Sequence, residues 1–136
     1  MRTHLMVFGI HWYWLVLAVI VYFGIGSVWY SPVMFMKQWQ AEIKKKTGEM
    51  SMAATAMIST LIAMVVLVLV EAYLVHATGT HGLWRGAYLG AKIWVGFVAT
   101  TALVNHVFQG SSKRLYAIDQ GYHFVGIVLA GAILAL

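Results

Sequence analysis

The sequence predicts an all-α membrane protein: four transmembrane helices, with a cytoplasmic amphipathic helix between the first and the second. Three observations carry this. Of 136 residues, 62% are hydrophobic and only 10% charged, whereas soluble domains average roughly 45–50% apolar. The apolar residues fall into four runs, each near the roughly 20 residues that cross a hydrocarbon layer. Aromatic side chains crowd both ends of the first run, where amphipathic rings prefer the water interface. The net charge of +5 comes from a few cations lying mostly between the runs. They act as topology determinants, and no basic stripe with exposed aromatics suggests nucleic acid. With no cysteine there is neither a disulfide nor a thiolate metal site.

The first span is expected at about residues 8–30, between Trp12, Tyr13 and Trp14 at one end and Trp29 and Tyr30 at the other. It follows one Arg as a signal peptide does, but it is too long and has no small-residue cleavage site, so it reads as a retained span. Ser31-Pro32 then offers an N-cap with proline at the first helical position. An interfacial helix is expected over about 32–46. Pro32, Phe35, Met36, Trp39 and Ile43 fall on one face, with Lys37, Lys44, Lys45 and Lys46 on the rest. That pattern lies on a membrane surface with lysines towards anionic headgroups. Thr47-Gly48 ends it and Ser51 can cap the second span, about 52–76, whose small and hydroxyl residues are of the kind that face other helices.

The turn at residues 78–82 is short enough to make the second and third spans antiparallel neighbours. The third span, about 83–108, reads as the central helix. Gly82, Gly86 and Gly90 leave one edge almost bare, and Arg85 and Lys92 stand in apolar surroundings. After a turn bearing Lys113 and Arg114, the last span, about 115–136, carries a second small-residue edge at Gly126, Ala130 and Gly131. Both edges suit close helix packing, and together they motivate an oligomer or a larger membrane complex. The cations after the first and third spans outnumber those on the other side, so the positive-inside bias places both termini outside the cytoplasm.

Glu71, Arg85 and Lys92 are the leading candidate residues, since a charge within hydrocarbon costs about 2.5 kcal/mol or more and is seldom left unpaired. Glu71 is expected to pair with one of the two cations across the neighbouring helix. The pair either fixes register or serves an ion or proton path. Asn105, His106, Gln109, Asp119 and His123 form a second polar cluster at the cytoplasmic ends of the last two spans. There Asp119 either caps the last helix and meets Lys113 or Arg114, or orients His123 four residues on. Among the six histidines, His11 and His76 approach one outer depth, as axial haem ligands must. No metal-binding spacing occurs on any helix, so no cofactor is predicted. Nor is a nucleophile or phosphate loop visible, so no enzyme is predicted.

Two strings, WYSPVMFMKQW from Trp29 and WVGFVATTALVNHVFQG from Trp94 followed by IDQGYHFVGIVLAGAILAL, resemble a bacterial membrane family called domain of unknown function 1761. The resemblance singles out Trp29, Tyr30, Ser31, Pro32, Phe35 and Trp39. It then singles out Trp94, Gly96, Phe97, Asn105, Phe108, Gly121 and Tyr122. It implies four membrane helices in the bacterial inner membrane and supplies no activity. Gln109 stands where the family pattern has an acid, Ser111-Ser112 replace an Arg-containing turn, and His123 replaces an aromatic. The sequence therefore suggests a packing or assembly component among membrane lipids, forming a homo-oligomer or joining a larger complex. The rival is a small transporter or channel built on Glu71 with Lys92 or Arg85, and the third reading is haem or metal binding.

Overall fold

The computed structural model describes residues 5–43 and 53–136. Arg2, Lys44 to Lys46, Thr47-Gly48 and Ser51 lie outside them. Six α-helices follow a short hairpin: α1 Trp12–Trp29, α2 Met36–Ile43, α3 Ala53–Ala77, α4 Leu83–Ile93, α5 Thr100–Gln109 and α6 Lys113–Leu134. A π-helical stretch, Trp94–Ala99, joins α4 to α5, so residues 83–109 make one continuous rod. Four helices are long and apolar enough to cross a membrane: Trp12–Trp29, Thr55–Ala77, Leu83–Gln109 and Lys113–Leu134. These fall within a few residues of the expected spans.

The hairpin was not expected. Met6–Val7 (β1) pairs antiparallel with Ile10–His11 (β2) around a Phe8-Gly9 turn whose residues both have positive φ. Such a turn twists as the flanking strands do. The second departure is α2, which begins at Met36 and not at Pro32. The backbone first folds through turns, with Phe35 N–H on the Trp29 carbonyl and Met34 and Met36 N–H on that of Ser31. The Ser31 hydroxyl donates back to the Val28 carbonyl at 2.6 Å. It closes α1 and does not cap α2.

The third departure concerns the centre. It is α6, and not the 83–109 rod, that the other helices surround: eight of its residues are buried, and between Leu83 and Gln109 only Gly86 and Gly90 are. The reason is local. α4 and α6 run antiparallel in a register of four-residue steps, with Gly82 N–H on the Ala135 carbonyl at 2.7 Å. A Cβ on Gly86 would collide with the Gly131 carbonyl, and one on Gly90 would lie 2.6 Å from that of Ile127. Gly126 leaves the room that the Tyr22 ring of α1 fills. Bare edges let backbones touch, and in lipid that contact is a main source of helix association. The two small-residue edges are therefore spent on each other and on α1, within one chain.

The π stretch is also satisfied locally. Widening a helix by one residue frees carbonyls that have no water to turn to in a bilayer. Thr100 donates to the Gly96 carbonyl, Thr101 to that of Phe97 and Tyr116 of α6 to that of Ala99 at 2.8 Å.

Candidate functional site

The richest convergence of polar groups lies on α6 between Ile118 and His123. Three aromatic donors from other parts of the chain reach three consecutive residues there. Trp29 Nε1 donates to the Ile118 carbonyl at 2.9 Å, the Tyr30 hydroxyl to Asp119 Oδ1 at 2.6 Å, and Trp94 Nε1 to the Gln120 carbonyl at 3.0 Å. Gly121 stays bare because a Cβ there would sit 3.1 Å from the Trp29 ring. A helical carbonyl keeps a lone pair after its own i+4 bond, so α6 accepts these donors without unwinding. The aromatic residues of the two recognised strings thus act on one short stretch.

Ring contacts extend the convergence. Trp29 packs on Phe35 with centroids 5.0 Å apart, and Tyr30 on Trp39 at 5.3 Å and Tyr122 at 5.7 Å. Trp39 also comes within hydrogen-bond reach of Asp119. One turn deeper, the Tyr22 hydroxyl meets His123 Nδ1 at 2.7 Å, and the Tyr122 hydroxyl donates to the Tyr22 carbonyl at 3.0 Å. Asp119 therefore does not cap α6. Ser112 does, accepting from the Leu115 N–H at 3.0 Å, while the Asp119 carboxyl ties the end of α1 to α6. Four residues on, His123 lies within electrostatic range of it.

Three cavities flank this network; one of about 250 Å3 lies by Trp29, Ile118 and Arg114, and the two larger, of about 370 and 360 Å3, lie on the α3 side. Tyr30, Thr60, Met64 and Tyr122 line both. Phe23, Met36 and Trp39 add an apolar and aromatic wall to the first, and Tyr22 and His123 a polar one to the second. Among the described residues lining either there is no Lys or Arg.

Glu71 sits at the other end of α6, 2% exposed. Its carboxyl lies at the glycine crossing, where a Cβ on Gly131 would be 2.9 Å from Oε2. Neither carboxyl oxygen has a hydrogen-bond partner among the described residues. The expected ion pair is not formed within the chain. Arg85 and Lys92 are both exposed on the outer side of α4, and Lys92 Nζ stands 4.6 Å over the Tyr88 ring. The cause is again the glycine edge: turning Gly86 and Gly90 inward turns Arg85 and Lys92 outward on the same helix.

The remaining predicted residues are scattered. Asn105 and Gln109 are exposed, and half-buried His106 meets Ser111 at 2.8 Å and the Tyr116 ring at 5.1 Å. They do not join Asp119 and His123. His11 precedes α1 with its ring stacked on Tyr13, and His76 packs under Gly9. Among the described residues no group of three or more His, Cys, Asp or Glu is placed to hold a metal. Sequence reasoning missed Tyr22, which belongs to no motif. A tyrosine in the middle of an apolar run, needing a partner for its hydroxyl, was the available sign.

Four long apolar helices around a glycine-packed centre fit an integral membrane protein. The family model described as "Protein of unknown function (DUF1761)" matches residues 13–135, and the chain belongs to that family. No curated protein and no solved structure matches it.

Proposed function

We propose that the chain is a packing subunit of a bacterial inner-membrane assembly and that it meets a second copy of itself through the outer face of residues 83–109. Gly86, Gly90, Gly126 and Gly131 do not supply this contact, being filled within the chain. What carries the reading is Lys92. At about 1.5 Å per residue it lies roughly 14 Å along the rod from Leu83, exposed, on a face that also shows Trp84 and Tyr88. In lipid at that depth a cation costs about 2.5–3.5 kcal/mol. A neighbouring protein surface over Lys92 and Tyr88 removes it from the acyl chains. Native mass spectrometry in mild detergent is expected to show a dimer or larger species that Lys92→Leu alters, and a monomer alone would overturn the reading.

The topology proposed is the one the cation bias gives, with both termini outside and α2 on the cytoplasmic side. The chain has no cysteine, so single thiols report it cleanly. A membrane-impermeant maleimide on intact cells should label His81→Cys and spare Lys113→Cys. The reverse pattern would invert the topology.

One observation favours a second reading, an ion or proton conductor: Glu71 is a buried carboxyl with no hydrogen-bond partner among the described residues, a functional-site pattern in membranes. Here Glu71 would act without Lys92 or Arg85, which face away. Liposome flux that Glu71→Gln leaves unchanged would eliminate it.

A further inference from the structure

We infer that the two chambers between α1, α2, α3 and α6 form one binding site for an uncharged, membrane-dissolved amphiphile with a flat, oxygen-bearing head, chemically of the quinone class. At about 370 and 360 Å3 each is of ligand size, since small-molecule sites run from about 300 Å3 upwards. Their shared lining makes them neighbours across the Tyr122 ring and Met64, whose polar atoms are 4.0 Å apart.

The lining selects the chemistry. Phe23, Trp39, Tyr122 and Met64 offer faces and a thioether that suit a planar ring. Asp119, behind Tyr30, disfavours an anionic head such as a phosphate or a fatty carboxylate, and no described lining residue offers it a countercharge. The polar groups of this wall are mixed in kind. Tyr30 and Tyr22 carry hydroxyls and His123 an imidazole, and the Asp119 carboxyl backs the Tyr30 hydroxyl from outside the lining. Donors meet the carbonyls of an oxidised ring and acceptors meet the hydroxyls of a reduced one. A bare acyl chain would leave this wall unused. Entry is from the bilayer, because Thr60 and Met57 of the lining are exposed on α3.

The test uses the full chain in lipid nanodiscs, titrated with decylubiquinone, with quenching of tryptophan emission as the readout and Trp39 as the nearest reporter. Two variants accompany it. Thr60→Phe fills both chambers from an exposed position that the fold does not need, and Asp119→Asn keeps shape while removing the charge. Saturable quenching is expected, weakened about tenfold, or 1.4 kcal/mol, by Thr60→Phe and less by Asp119→Asn, with the melting temperature of Thr60→Phe unchanged. Tetradecane, a chain without a head, should not displace the probe. Quenching that rises without saturation, or that both variants leave alone, overturns the site. Displacement by tetradecane overturns the head-group recognition, leaving an acyl-chain groove.

Discussion

The two halves of α6 solve the same problem in opposite ways. From Gly126 to Leu134 the helix is largely buried and bare-edged, and its backbone meets that of α4 directly. From Ile118 to His123 it is met by long aromatic side chains that bring their own hydrogen-bond donors and hold neighbouring helices at ring distance. Close backbone approach leaves no space, while aromatic spacing leaves cavities. One half holds backbones in contact, and the other keeps neighbouring helices apart. Glu71 and Asp119 repeat the contrast, since the first is buried with no hydrogen-bond partner among the described residues and the second accepts from Tyr30.

The sharpest way to break the comparison is to give the bare-edged half a side chain. Gly131→Leu would place a branched chain against the Gly86 carbonyl and the Glu71 carboxyl. A loss of about 3 kcal/mol or more is expected, at the upper end of overpacking effects, read by unfolding in a denaturing detergent. Gly24→Ala is the control, because nothing lies within 4 Å of its added Cβ, and it should be neutral or slightly stabilising. If Gly131→Leu unfolds no more easily than the control, the α4–α6 crossing is wrong.

Glu71 sharpens the contrast through the sign of an effect. A buried polar group without a partner costs about 1–3 kcal/mol relative to an apolar side chain of similar shape. Glu71→Leu should therefore stabilise the chain by that order in the same assay. A loss of stability would mean that Glu71 has a partner in the assembled protein, and the two halves of α6 would then differ less than they do here.

Much of this arrangement was legible beforehand, and the reasons for the rest are physical. Helix number and limits follow from apolar run length, because a bilayer sets one scale. The bare edges at Gly86, Gly90, Gly126 and Gly131 were visible as spacing, but spacing does not say whether two edges meet each other or a second chain. That ambiguity also misplaced the centre, since α4 carries as clear a glycine edge as α6. Once Gly86 faces inward, helical geometry forces Arg85 and Lys92 outward, so the edge and the ion pair were rival expectations of one helix. The sequence offers Asp119 its neighbours Lys113, Arg114 and His123, whereas its hydrogen-bond donor, Tyr30, is 89 residues away. Long-range hydrogen bonds leave no periodic trace.

The smallest expected effects discriminate within the polar half. Trp29 and Trp94 each donate to a carbonyl of α6, two residues apart. Each phenylalanine replacement removes one neutral hydrogen bond, worth about 1 kcal/mol, and leaves an accepting carbonyl that keeps its own helical bond. The two losses should nevertheless differ in kind. Trp29 also packs on Phe35 and covers Gly121, so Trp29→Phe loosens the turn leading to α2. Trp94 opens the π stretch and meets Phe124 edge to face, centroids 4.9 Å apart, so Trp94→Phe acts on the rod alone. Hydrogen exchange should accordingly rise at residues 31–39 in the first variant and at 94–101 in the second. If both variants raise exchange over the same residues, the aromatic contacts on α6 act as one cluster, and the division between a fixed half and a roomy half moves towards His123.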